Sequence, residues 1–202
     1  MAIVIGPTLV TILLGGVSMG AEISLPNPSH KGTVTVEEAL KSRRTHRSFS
    51  STPLTLKQFS QILWGAYGVS AQEYGTFLKT APSAGALYPL DIYAVVGEAG
   101  VESLDPGVYH FSPESHKVKL LKKGDLRVEV ARKSLHQMWM AKAPIMLVIT
   151  GEYNRSTIKY GPRGITYTHI EVGHVGQNMF LQAGAIGLQA GSPRYFGVLE
   201  QG

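Results

Sequence analysis

From Thr168 to Ile186 the chain reads THIEVGHVGQNMFLQAGAI, and its apolar residues fall on two stripes of a helical wheel. Val172, Val175, Met179, Ala183 and Ile186 share one face, while Ile170, His174, Leu181 and Ala185 gather almost opposite. A helix on the surface of a core needs one apolar stripe, so two stripes predict cover on both sides. Wrapping by the rest of the chain or pairing with a second copy would each supply that cover. We read pairing, because Gly173, Gly176, Ala183 and Gly184 let another backbone come close. Gly187 closes the helix.

Shorter patterns lie upstream. Thr35 reads as the cap of a short helix, with Glu37 and Glu38 in its first turn and Lys41, Arg43 and Arg44 at its end. Thr55 caps a second helix, in which Leu56, Phe59, Ile62, Leu63 and Tyr67 recur at core spacing until Gly68 stops it. Trp64 on that helix either packs or lines a pocket. Residues 69–80 read as a polar loop. A strand over 90–96 (LDIYAVV), a hairpin of 107–111 with 117–121, and a helix from an Asp125 cap to Gln137 follow. Residues 145–150 (IMLVIT) form an unbroken apolar run, which predicts a strand buried on both faces. Residues 153–158 read as a short polar connection. This order predicts one α+β domain with helices against a mostly antiparallel sheet.

Composition narrows the function classes. Of 202 residues, 44% are hydrophobic and 16% charged, as in a globular domain. The net charge of +5 is spread out except for two clusters, Lys41/Arg43/Arg44/Arg47 and Lys117/Lys119/Lys122/Lys123. No helix carries a basic face interleaved with aromatics, which argues against nucleic acid. With no cysteine, disulfides, thiolate nucleophiles and cysteine-ligated metals are excluded. His169 and His174 are five apart around Glu171, whereas a zinc helix spaces its histidines by four, so no metal site is expected.

Residues 1–22 form an apolar leader, and the first 21 carry no charge. This stretch reads as a signal or anchor, which would export or tether the protein, or as a buried N-terminal segment of a cytoplasmic one. The folded domain is expected over 23–202.

Three features carry candidate chemistry. Arg43, Arg44, Thr45 and Arg47 place planar guanidinium donors and a hydroxyl within five residues, which suits a phosphate, although a helix C-terminus also collects such charge. Pro82, Ser83, Ala84 and Gly85 open a stiff turn of small residues ending at Pro89, which can approach a flat ring or a phosphate. Lys159 and Tyr160 begin a Lys-Tyr-Gly-x-Arg-Gly stretch before the long helix.

In this order the three resemble the FMN-dependent nitroreductase superfamily, in particular its SagB-type, azoline dehydrogenase-like branch, over about residues 34–190. The resemblance implies a nitroreductase-like α+β fold and an intertwined homodimer with FMN at the interface. It also implies a C-terminal part that is missing by about forty residues. It assigns FMN binding to Arg43, Arg44, Thr45 and Arg47, with Pro82, Ser83, Ala84 and Gly85 packing on the ring from the other subunit. Lys159 and Tyr160 become the catalytic pair. The implied reaction transfers a hydride between flavin N5 and an organic substrate. That substrate is an azoline in a modified peptide, or a nitro compound or quinone reduced at the expense of NAD(P)H. A flavin-binding scaffold without turnover is the alternative.

Overall fold

The computed structural model describes residues 1–5, 20, 22–73 and 75–193. Most of the apolar leader, and the residues after 193, lie outside them. Among the described residues no helix is long and apolar enough to cross a membrane.

A six-stranded sheet organises the domain. Its strands are β1 (Ala2–Ile5), β2 (Glu22–Ser24), β5 (Leu90–Val96), β6 (Gly107–Ser112), β7 (Lys117–Lys123) and β8 (Ile145–Gly151), in the spatial order β1-β8-β5-β6-β7-β2. Every pairing is antiparallel except β1 with β8. The apolar run of β8 is interior and fully buried over 145–150, as its lack of alternation predicts.

Alternation along β5 and β8 makes two cores, one on each side of the sheet. Ile92, Ala94, Ile145, Leu147 and Ile149 face a large cluster with Phe59, Ile62, Leu63, Val175 and Met179. Tyr93, Val95, Met146 and Val148 face a smaller one with Val130, Ala131 and Met140.

The first two helices follow their caps. α1 (Val36–Ser42) starts at a capping box: the Glu38 amide donates to Thr35 Oγ1 at 3.2 Å and the Thr35 amide to Glu38 Oε2 at 2.8 Å. α2 (Leu56–Tyr67) repeats the device with Thr55 and Gln58. On the other side, α3 (Arg127–Lys133) stops early. Leu135 and His136 both take left-handed φ, 56° and 55°, and a 3-10 turn over Met138–Lys142 follows. Asp125 therefore does not cap a helix to Gln137. It accepts from the Arg127 amide at 3.0 Å and pairs with the Arg127 guanidinium, which also donates to the Ala143 carbonyl at 2.7 Å.

Two expected loops are regular. Residues 69–80 hold a hairpin, β3 (Val69–Glu73) with β4 (Thr76–Lys79), turning at Gly75 with φ 78°. Its residues are mostly exposed, so no apolar alternation announces it. Residues 153–158 belong to α4 (Asn154–Tyr160), which has no side-chain cap and buries only Ser156.

α5 (Arg163–Ala185) is the long helix, starting five residues before the periodicity does. Val175, Met179 and Ala183 are fully buried in the large core, with Val172 and Ile186 packed beside them. The helix ends as expected: Gly187 has φ 75°, and the Leu188 amide returns to the Ala183 carbonyl at 2.8 Å. The second stripe is open in the single chain at Ile170 and His174, whereas Leu181 and Ala185 are half-buried. Ile170 is 51% exposed, His174 is exposed, and a Cβ on Gly173, Gly176 or Gly184 would meet nothing within 4 Å.

Candidate functional site

The turn before β5 is where separate sequence features meet. Gly85 has φ 63°, Ala86 52° and Tyr88 47°, so the chain folds tightly through left-handed conformations. The Ala86 amide donates to the Ser83 carbonyl at 3.1 Å and the Tyr88 amide to Ser83 Oγ at 3.0 Å. The open side of this turn faces the end of α4. A Cβ added to Gly85 would lie 2.5 Å from Tyr160 Oη and 2.9 Å from Lys159 Nζ. Only a hydrogen fits at Gly85, because a hydroxyl and an amine pack directly against it.

Local packing explains why the two polar heads sit there. The Lys159 ammonium lies 5.4 Å from the Tyr160 ring centroid, and Tyr160 meets Tyr167 of α5 edge to face at 5.1 Å. One turn earlier on α4, Arg155 ties that helix to the segment leaving the turn. It donates to Asp91 Oδ2 at 3.0 Å and to the Tyr88 carbonyl at 3.5 Å. Burial pushes the Asp91 carboxyl up, but His110 and Arg155 outweigh it and hold it below the ordinary range.

Behind the turn is a buried polar group. Tyr67 is fully buried and Glu171 is 2% exposed. Tyr67 Oη donates to Glu171 Oε1 at 2.5 Å and accepts from the Leu90 amide at 3.4 Å. Burial raises the Glu171 carboxyl above its ordinary value, partly offset by hydrogen bonds from Ser83 and Tyr67 and by the charges of Lys79 and His174. Burial and the Glu171 charge together raise the Tyr67 phenol. Lys79 lies 4.3 Å from the Tyr67 ring centroid and 4.9 Å from that of Tyr88, and pairs with Glu114 at 3.3 Å. Tyr67, Lys79, Tyr88, Asp91, His110 and Arg155 line a polar cavity of about 380 Å³.

The arginine segment is elsewhere. Arg43 lies 5.5 Å over Phe180 and Arg47 5.6 Å over Trp139, while the His46 amide donates to the Ala190 carbonyl at 2.9 Å. Arg44 caps α1, donating to the carbonyls of Lys41 and Arg43 at 3.0 and 2.8 Å. Thr45 is exposed. Phe180 is six residues beyond His174, about 9 Å along the helix axis. Among the described residues no hydrogen bond, ion pair or ring contact joins 43–47 to 82–85 or to 159–160.

Comparison with known proteins decides the family. Residues 40–196, more than three quarters of the chain, match the model of the nitroreductase family.

The chain belongs to the nitroreductase family.

This family chain is 44% identical over 167 residues to a protein of Methanocaldococcus jannaschii provisionally named a nitroreductase; the match covers 83% of this chain and 80% of that one. It is 29% identical over 123 residues to the trifolitoxin-processing protein TfxB of Rhizobium leguminosarum bv. trifolii, covering 54% of this chain but only 30% of TfxB. A crystal structure from Ralstonia eutropha, also provisionally named a nitroreductase, superposes with a TM-score of 0.69 at 26% identity, over 86% of this chain and 78% of that one. Family membership supports oxidoreductase chemistry, and the family generally uses a flavin.

In this nitroreductase-family chain, the turn at Pro82, Ser83, Ala84 and Gly85 comes together with Lys159 and Tyr160, while Arg43, Arg44, Thr45 and Arg47 stay apart. Sequence reasoning placed Glu171, Gly173, His174, Gln177 and Asn178 on the helix that follows the Lys-Tyr-Gly-x-Arg-Gly stretch, and weighed Glu171 also as a metal ligand. His169 bonds to Tyr153 at 2.9 Å, Glu171 to Tyr67, and His174 to the Pro82 carbonyl, so the three serve different partners. The polar series Glu171, His174 and Asn178 was visible in the sequence, but its partners Tyr67, Pro82 and Thr80 were not.

Proposed function

We propose that the chain is an FMN-dependent oxidoreductase acting as a homodimer, with its reacting face over Gly85. The carrying observation is the pair of proton-bearing heads, Lys159 Nζ and Tyr160 Oη, which lie directly against the backbone of Gly85. FMN, when bound, supplies hydride transfer at N5. The residues present fit it. Arg43, Arg44, Thr45 and Arg47 have the donor chemistry for its phosphate, and Gly85 with Pro82, Ser83 and Ala84 offers the small-residue surface a flat ring needs. One copy would supply the arginines and its partner the turn. The separation of the two groups in a single chain supports that division, as does the open stripe of α5.

In this reading Lys159 and Tyr160 orient the substrate and hold or move a proton at Nζ or Oη. An azoline ring in a modified peptide would give up a hydride and a proton to become an azole, and the likeness to a trifolitoxin-processing protein supports that substrate class. In the reducing direction NAD(P)H is the donor and a nitro compound or quinone the acceptor, which the archaeal relative supports.

The test is an absorption spectrum of the purified protein with and without FMN, followed by anaerobic NAD(P)H or an azoline peptide. We expect a bound flavin that bleaches. Arg43→Ala or Arg47→Ala should lower flavin retention, whereas Lys159→Ala should keep the flavin and lose turnover. Full activity of Lys159→Ala on every oxidisable substrate would refute the catalytic assignment. A yellow protein that never bleaches would instead indicate a scaffold.

A further inference from the structure

Three polar side chains of α5 each grip the segment that leads into the Gly85 turn. Ser83 is near enough to Glu171 that hydrogen bonding from its side chain helps to lower the Glu171 carboxyl against the effect of burial. His174 Nδ1 lies 3.3 Å from the Pro82 carbonyl, which can only accept, so that nitrogen carries the hydrogen. Asn178 Nδ2 donates to the Thr80 carbonyl at 3.2 Å. The spacing is i, i+3, i+7, one edge of the helix. Going up the helix, the contacts run backwards along the segment, so turn and helix lie antiparallel and in fixed register.

The grip acts on a segment that would not hold its shape alone. Ala86 and Tyr88 are non-glycine residues in left-handed conformation, which persists only where surroundings enforce it. Ser83 is the point of enforcement. Its hydroxyl oxygen accepts from the Tyr88 amide and its carbonyl from the Ala86 amide, so it holds both left-handed residues. Ser83 in turn is anchored on Glu171, and Glu171 on the fully buried Tyr67.

We infer that Glu171, seated on Tyr67 and acting through Ser83, is a positioning residue that sets the shape of the Pro82–Gly85 turn against Lys159 and Tyr160. Its hydrogen bonds go to Tyr67 and Ser83 and not to either of those two heads. Its consequence for turnover rests on the flavoenzyme reading above, whereas its effect on the turn does not.

Amide hydrogen exchange of the full chain, read at Ala86 and Tyr88, tests the first part without any flavin. Losing a buried hydrogen-bond anchor should speed exchange at both amides roughly ten- to hundredfold in Glu171→Leu. Ser83→Ala, which leaves the core intact, should do the same at Tyr88, and Tyr67→Phe should act in the same direction more weakly. Glu171→Gln keeps an acceptor and should restore protection. Amides of β5 and β8 should keep their wild-type rates in Ser83→Ala. Unchanged exchange at Tyr88 in Ser83→Ala, or loss of protection in the strands equal to that in the turn, would overturn the inference.

The second part is read on FMN-loaded protein. A displaced turn should lower kcat about ten- to hundredfold in Glu171→Leu with little change in KM, and Glu171→Gln should recover most of it. A fall in kcat that Glu171→Gln does not recover would remove the positioning role. If the wild-type chain binds no flavin, the functional proposal fails, and the exchange result still decides whether Glu171 holds the turn.

Discussion

Replacing Gly85 with alanine is the most direct challenge to the site as built. Two separate costs arise. At φ 63° an L-residue with a Cβ costs about 1 kcal/mol more than glycine. The new methyl would also sit 2.5 Å from Tyr160 Oη, a separation that forces something to move. The Lys159 ammonium, at 2.9 Å, is the end of a flexible chain and can swing away at little cost, whereas the tyrosine moves only as a whole ring. Overpacking of this kind costs about 1–2 kcal/mol at a half-exposed site. The sum, roughly 2–3 kcal/mol, should lower Tm by about 4–12 °C for a chain of this size. A double-mutant cycle isolates the contact. In a Tyr160→Phe background the nearest ring atom is at 3.4 Å, ordinary contact, so Gly85→Ala should there cost only its backbone part. Urea unfolding of the four proteins should give a coupling of about 1 kcal/mol or more. A coupling below about 0.3 kcal/mol would show that Tyr160 does not lie over Gly85.

Further outcomes follow from other parts of the molecule. Thr55→Ala should cost about 1 kcal/mol in thermal unfolding, because it opens the capping box of a helix seated in the large core. Ile170→Glu should leave the secondary structure seen by circular dichroism intact, since the residue is 51% exposed in one chain, yet shift sedimentation from dimer to monomer. Glu171→Gln should become more stable relative to wild type as pH rises from 4.5 through the raised folded value of Glu171. The reason is that a raised carboxyl contributes its stability below its unfolded pKa and loses it above the folded one. Asp91→Asn should show the reverse in urea melts: the lowered carboxyl stabilises wild type above 3.8, and that advantage disappears as pH falls through its folded value.

How far the sequence speaks depends on whether a residue's role is local. Thr35, Thr55 and Gly187 act on their own neighbours, and each does what its type predicts. β5 spans Leu90–Val96, as its alternation and β-branched residues suggest. α4 was illegible for the opposite reason. Seven polar-rich residues without a cap become helical where α5 packs beside them, so 153–158 read as a connection, and the sequence did not place Lys159 and Tyr160 at a helix end. Glu171 was legible as chemistry but not as geometry. Its partner Tyr67 is 104 residues away and reads as an ordinary core aromatic of α2. The turn was visible as a string of small residues, while the left-handed backbone at Ala86 and Tyr88 was not, since neither type favours it.

The bare glycines of α5 bear on how the protein should respond to dilution. Gly173, Gly176 and Gly184 each weaken the helix by roughly 1 kcal/mol relative to alanine, and in one chain nothing lies against them in return. The rod carrying Glu171, His174 and Asn178 is therefore intrinsically soft where it is unsupported. A second copy laid along that side would stiffen it, and with it the bend it holds. Activity per chain should then fall on dilution before the sheet unfolds, as protomers part and the rod slackens.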